Sequence, residues 1–203
     1  MLSALRQALP VVAIVSGRPR EDVERLLAVD GVEVFGLYGL EGRHADVEAT
    51  RDALAVVEKA AADVEGAWVE DKGLSLAVHY RGAPDPDTAH RALSGRLERI
   101  ALRRGLLLFP GKMVIELAPR ATPGKGAVIL REAGERGLAA CLYAGDDEAD
   151  VGAFAALDEL ARRGLTTVKV AVGSEEAPPG LIEAADVVVA RPDDLVALLR
   201  SLT

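Results

Sequence analysis

The sequence predicts an α/β fold: a Rossmann-like parallel sheet core interrupted by an inserted α+β domain of order αββαββ. Three observations carry that expectation. At both ends of the chain, short and nearly continuous apolar runs alternate with amphipathic stretches, as parallel strands covered on both faces require. The middle changes texture and pairs strand-like runs across hairpin-type turns. The 203 residues suit a core plus a small insert, since domains commonly hold about 100–200 residues.

In the first core segment, residues 11–15 and 32–38 read as strands around a helix at 20–27. In the last, 140–144, 167–172 and 187–189 read as strands, with helices at 126–135, 151–163 and 193–202. Gly137 and Gly164 lie just past two of these helices, where C-terminal caps belong. The middle reads as helix 46–64, strands 67–72 and 74–80, helix 86–103, and strands 106–109 and 113–117. Lys72-Gly73 and Pro110-Gly111-Lys112 are its turn signals. The expected domains are 1–42 with 120–203 for the core and 43–119 for the insert.

Strand parity adds a second expectation. Side chains alternate faces with period two. If the two helices cover the apolar face of the insert's sheet, the open face carries Trp68, Glu70, Lys72, Lys112 and Glu116. Such a face suits either cross-strand ion pairs in solvent or a hydrogen-bonding, negatively charged ligand.

Composition narrows the function. Half the residues are hydrophobic and 28% charged, so the chain can bury a sizeable core. The net charge of -8 argues against a nucleic-acid partner, which needs a basic surface. One cysteine allows neither an internal disulfide nor a cysteine metal site. No apolar run approaches the ~18–20 residues of a membrane span, and the first nine residues lack a signal-peptide pattern. A soluble cytoplasmic protein, with no membrane partner, is the expectation.

Three strand-to-helix junctions carry chemistry. Ser16-Gly17-Arg18-Pro19 places a hydroxyl and free backbone donors at a helix start, a phosphate site or else an N-cap serine. Pro123-Gly124-Lys125-Gly126 places a compact cation between glycines. Gly145-Asp146-Asp147-Glu148-Ala149-Asp150 puts four carboxylates within five positions at a strand end. Crowded carboxylates repel one another, and a hard divalent cation such as Mg²⁺ relieves that repulsion beside a phosphate substrate.

Serine, lysine and aspartate cluster, in this order, resemble motifs II, III and IV of the haloacid dehalogenase-like phosphatases, and the insert resembles their C2B cap. The stretches Val12–Arg18, Val69–Ser75 with His79-Tyr80-Arg81, Gly111–Glu116, and Gly145–Asp150 with Ala153-Phe154 resemble trehalose-6-phosphate phosphatases over essentially the whole chain. The resemblance implies that Ser16 hydrogen-bonds the transferring phosphoryl group and Lys125 neutralises it. It implies Mg²⁺ at Asp146, with Asp147 and Asp150 as auxiliary carboxylates. Glu70, Lys72, Lys112 and Glu116 would bind the sugar, and Arg18 would orient the loop or reach the ligand. The implied substrate is trehalose 6-phosphate, with a functional link to trehalose-6-phosphate synthase.

The sequence departs from the family in one respect that matters for mechanism. The family's nucleophile and general acid/base come from an Asp-x-Asp-Gly-Thr motif, and residues 1–10 contain no acidic residue. The expectation is a truncated chain, short by a first strand–helix unit of about 30 residues, whose absence leaves neighbouring strands with unpaired backbone. A non-catalytic sugar-phosphate-binding relative and a phosphatase for another sugar phosphate are the alternatives. Ala118-Pro119 and Ala149 are smaller departures.

Overall fold

The apolar runs at both ends form parallel strands and the middle forms an antiparallel sheet in the computed structural model, which describes residues 1–41, 48–173 and 177–203. In chain order the elements are α1 (Leu2–Ala8), β1 (Ala13–Val15), α2 (Arg20–Leu27), β2 (Glu33–Phe35), α3 (Glu48–Ala62), β3 (Trp68–Asp71), β4 (Leu76–His79), α4 (Pro86–Arg104) and β5 (Leu106–Gly111). They continue with β6 (Val114–Pro119), α5 (Gly124–Glu135), β7 (Ala140–Gly145), α6 (Glu148–Arg162), β8 (Thr166–Val172), α7 (Pro179–Ala184), β9 (Val187–Val189) and α8 (Pro192–Arg200). The chain divides into two units, Met1–Glu41 with Pro123–Thr203 and Gly42–Thr122. The expected helix start at Asp46 and the expected domain boundary at 42/43 lie outside the described residues.

In the first unit, β1 pairs with β2 and β7-β8-β9 form a second sheet, all parallel. The parallel sheet read from the sequence is therefore in two pieces. Among the described residues β1 pairs only with β2 and β7 only with β8, so each has a side without a strand. Much of this unit's core is helical. Ala153, Ala156, Leu157 and Leu160 recur on one stripe of α6, and Ile129 and Ala133 of α5 pack into the same cluster, while Phe154 of α6 packs with Ala171 and Leu181 in a second one. Each fully buried large side chain of that kind is worth about 1.5–3 kcal/mol. Gly137 and Gly164 take φ of 59° and 96° just past α5 and α6, so both read correctly as C-terminal caps. At the end of α5, Arg136 makes two parallel hydrogen bonds to Glu33 of β2 at 2.8 and 2.6 Å, which raise the guanidinium pKa.

In the second unit the strand order is β3-β4-β6-β5, antiparallel throughout. Ala53, Val57 and Ala61 of α3 and Ala89, Leu93, Leu97 and Ala101 of α4 sit at helical spacing. They pack on Leu76, Val78, Leu106, Ile115 and Leu117. Period two then turns Trp68, Glu70, Ala77, His79, Val114 and Glu116 to the other face, which the registers Trp68↔His79 and Glu70↔Ala77↔Glu116 bring into rows. The start of α4 has Pro86 at its first position and Asp85 as its cap, accepting from the Asp87 and Thr88 amides.

Three local readings change. The strand expected to run to Tyr38 stops at Phe35, and Leu37, Tyr38 and Gly39 take φ of 47°, 57° and 82°. Their amides bond the carbonyls of Arg18, Ser16 and Gly36, a local pattern that replaces the strand ladder. The β5–β6 hairpin turns at Lys112-Met113, one step later than the Pro-Gly signal, because Gly111 still pairs with Val114. Met113 takes φ 59° there, so Lys112 is a turn residue and the parity argument does not extend to it. Helix α7 is six residues long, too short for periodicity to reveal.

Candidate active site

The β1–α2 junction is a loop folded on itself. The Ser16 hydroxyl oxygen accepts the Arg18 amide at 3.0 Å, which leaves its O–H to donate elsewhere. The Ser16 and Arg18 carbonyls accept the Tyr38 and Leu37 amides. Gly17 is required here: a Cβ would lie 2.6 Å from the Tyr38 hydroxyl. The first amide of the helix N-terminus expected to offer free donors is already engaged. Both Glu41 carboxylate oxygens accept the Arg20 amide at 3.0 Å, and Pro19, not Ser16, is the N-cap. Among the described residues the Arg18 guanidinium has no hydrogen bond or ion pair.

The other two junctions meet directly. Lys125, in the first turn of α5, donates to Asp150 Oδ1 at 2.6 Å, and Tyr143 of β7 donates to the same oxygen at 2.6 Å. Asp150 Oδ2 accepts the Asp146 and Asp147 amides at 2.9 and 3.0 Å. Asp150 is 2% exposed, and its oxygens hold four donors. It is therefore the post around which the β7–α6 turn is built, with no lone pair left over for a cation. Gly145 is the counterpart of Gly17, because a Cβ there would run into the Asp150 carboxyl. Burial, followed by the Asp150 charge, pushes the Tyr143 phenol well above its ordinary pKa and keeps it a donor.

The remaining acidic residues differ from one another. Asp147 is the N-cap of α6, in a reciprocal capping box with Asp150, and accepts the Glu148 amide at 2.6 Å. Its pKa is raised, by burial first. Asp146 is exposed at the strand end, and its carboxylate has no hydrogen-bond partner among the described residues. Among those residues no group of three or more His, Cys, Asp or Glu is arranged to hold a metal. Mg²⁺ usually takes only one or two carboxylates, completing its shell with phosphate oxygens and water. Asp146 fits that limited role; Asp150, whose oxygens are already occupied, does not.

The Gly39 backbone lies against Pro123 and Val128 of the α5 segment, so contacts run from the Ser16 loop through residues 37–39 to the start of α5 and on to Asp150.

In the second unit, Glu116 of β6 is 2% exposed. It accepts Ser75 Oγ at 2.6 Å and Lys72 Nζ at 3.1 Å. Glu70 accepts His79 Nε2 at 2.8 Å, so that nitrogen carries the proton. Lys112 is exposed in its turn, and its carbonyl accepts from Arg81. The structure thus joins Lys72 to Glu116 and sets Glu70 on the same sheet face. Sequence reasoning missed Ser75 and His79, which lie inside the stretches that carried the resemblance. It also missed Tyr38, Glu41 and Tyr143, which no motif marks.

An α/β core with an αββαββ insert, and with serine, lysine and aspartates at successive strand ends, is the fold of the haloacid dehalogenase-like phosphatases. The trehalose-phosphatase family model matches residues 1–179. The chain belongs to that family. It is 30% identical over 178 residues to the trehalose-6-phosphate phosphatase of Escherichia coli, covering 82% of this chain and 64% of that protein. It is 33% identical over 176 residues to an uncharacterized glycosyl hydrolase of Mycobacterium tuberculosis, covering 77% of this chain and 13% of that protein. The C-terminal domain of Candida albicans trehalose-6-phosphate phosphatase superposes with a TM-score of 0.77 at 20% identity, covering 95% of this chain and 78% of that one. The chain thus spans less than two thirds of these curated relatives' length. Among the described residues no helix is long and apolar enough to cross a membrane.

Proposed function

We propose that the chain carries out the phosphoryl- and sugar-recognition work of a phosphatase acting on trehalose 6-phosphate, releasing trehalose and phosphate. The observation that carries this reading is the Lys125–Asp150–Tyr143 cluster, a buried assembly that fixes a cation beside an exposed strand-end carboxylate. In this reading Ser16 donates its hydroxyl proton to a phosphoryl oxygen, Lys125 offsets phosphoryl charge, and Arg18 reaches the ligand. Asp146 and Asp147 hold Mg²⁺, which supplies Lewis-acid polarisation of phosphoryl oxygens when bound. Asp150 acts through the turn it organises. Glu70, Lys72, Glu116 and Lys112 take the sugar hydroxyls, carboxylates accepting and ammonium groups donating. We place this role in the cytoplasm, as residues 1–42 with 120–203 for the core and 43–119 for the cap. Trehalose-6-phosphate synthase would be the reaction that supplies the substrate.

No Asp-x-Asp-Gly-Thr stretch occurs in these 203 residues, so no nucleophile for covalent phosphoryl transfer is identified among them. That favours keeping a second reading, a module that binds the sugar phosphate without turning it over. Calorimetric titration with trehalose 6-phosphate, with and without Mg²⁺, is paired with a phosphate-release assay. Both readings expect Mg²⁺-dependent binding that Lys125→Ala abolishes, and release separates them. Failure of a folded sample to bind refutes both.

A further inference from the structure

Trp68 stands apart from the chain's other aromatic residues. It is 55% exposed, on the edge strand of the second unit's sheet. One face of the indole is occupied: His79, directly opposite on β4, stacks against it at 4.2 Å between ring centroids and 14° between planes. His79 is held in turn by Glu70 at 2.8 Å, two residues along β3 from Trp68. The indole is thus backed by a stacked ring whose orientation a carboxylate fixes.

The same sheet face carries Glu70, the Lys72–Glu116–Ser75 cluster and little else that is polar. Trp68 and Glu70 are about 7 Å apart along the strand, and Glu116 is two strands over, about 10 Å from Glu70. An apolar platform lies at one end of the face, and a hydrogen-bonding cluster lies a sugar's length or more away. The negative face of an indole attracts the weakly positive C–H groups on one side of a pyranose ring. Sites for small polar ligands combine such a surface with a few placed polar groups.

We propose that Trp68, backed by His79 and flanked by Glu70, is a stacking platform for a pyranose ring and so a specificity-determining residue for the sugar. This inference rests on the sugar-phosphate reading above. The neighbouring Glu70 carboxylate repels a phosphate, so the ring stacked on Trp68 is the one without it. Trp68 then favours a disaccharide phosphate over a monosaccharide phosphate.

The test uses a convenience of composition: Trp68 is the only tryptophan in the chain, so its emission reports this position alone. The chain is titrated with trehalose 6-phosphate, trehalose and glucose 6-phosphate, following tryptophan emission and heat in parallel. Both disaccharides are expected to give a saturable emission change as the exposed ring face loses water, and glucose 6-phosphate is not. Trp68→Leu should weaken trehalose 6-phosphate binding about tenfold and glucose 6-phosphate binding less than about twofold, with Trp68→Phe in between. Circular dichroism checks that each variant is folded. Calorimetric binding of trehalose 6-phosphate with unchanged emission, or with unchanged affinity in Trp68→Leu, overturns the platform and leaves the substrate reading standing. No binding of trehalose 6-phosphate by the folded wild-type chain overturns both.

Discussion

Asp150→Asn tests whether a single buried carboxylate organises the β7–α6 turn. The substitution keeps the shape and removes the charge. Asp150 accepts four hydrogen bonds, two from Lys125 and Tyr143 on one oxygen and two from the Asp146 and Asp147 amides on the other. An amide has one oxygen and one NH₂. If the oxygen faces the backbone, the NH₂ points at an ammonium and a hydroxyl donor; turned over, it faces two amide N–H groups. Either way one side of the cluster is lost, and Lys125, with its side chain 11% exposed, keeps a charge without its partner. Removing one partner of a buried pair costs about 3–5 kcal/mol. For a chain of this size that lowers the melting temperature by about 6–20 °C, at about 2–4 °C per kcal/mol. Scanning calorimetry measures the loss for the first unit's transition, and hydrogen exchange at the Asp146 and Asp147 amides reads it locally. A loss below about 1 kcal/mol, smaller than even one charged hydrogen bond contributes, with unchanged protection at both amides, would refute the reasoning.

Three further perturbations probe the same logic. Gly145→Ala drives a methyl group into the Asp150 carboxyl and should destabilise by about 1–3 kcal/mol, read by urea unfolding; a neutral result would show that the turn can yield. Lys72→Met leaves Glu116, 2% exposed, with Ser75 as its remaining side-chain donor of the two described here. It should cost about 3–5 kcal/mol, and Trp68 emission during urea unfolding follows that unit. The pKa of Asp85 is lowered, first by the Thr88 side-chain hydrogen bond. Because the folded pKa lies below the unfolded one, its contribution is present above the ordinary aspartate value and lost as pH falls through the folded value. The gap in urea midpoint between wild type and Asp85→Ala should therefore be open at neutral pH and close in acid below the aspartate range. A gap independent of pH would mean that the cap acts without its charge.

Fold class, the order of the longer elements and two glycine caps were legible because periodicity and turn chemistry are local properties. The face of the insert's sheet that carries Trp68, Glu70 and Glu116 was also legible, since strand side chains alternate whatever the strand pairs with. Parity failed at Lys112 because it assumes an unbroken strand, and a positive φ at Met113 ends the alternation. Spacing alone presents the acidic run at 146–150 as one crowded group, and only the family resemblance sets Asp146 apart from Asp147 and Asp150. Folding separates them into an exposed residue, an N-cap and a fully satisfied buried post. Spacing cannot make that distinction, because it depends on Lys125 and Tyr143 arriving from other elements. Glu41 escaped notice for the same reason: it lies 21 positions from the amide it caps.

By itself the sequence determined an α/β core with an αββαββ insert and put serine, lysine and aspartates at strand ends, because hydrophobic period and helix-start chemistry are written residue by residue. Only the tertiary structure decided which of those groups are engaged and which stand open. It engaged the start of α2 with Glu41 and Asp150 with four donors. It left Asp146 exposed, and it backed Trp68 with a histidine. The physical reason is that a polar group's chemistry is set by which donors, acceptors and apolar surfaces surround it. Those neighbours come from positions far apart in the chain.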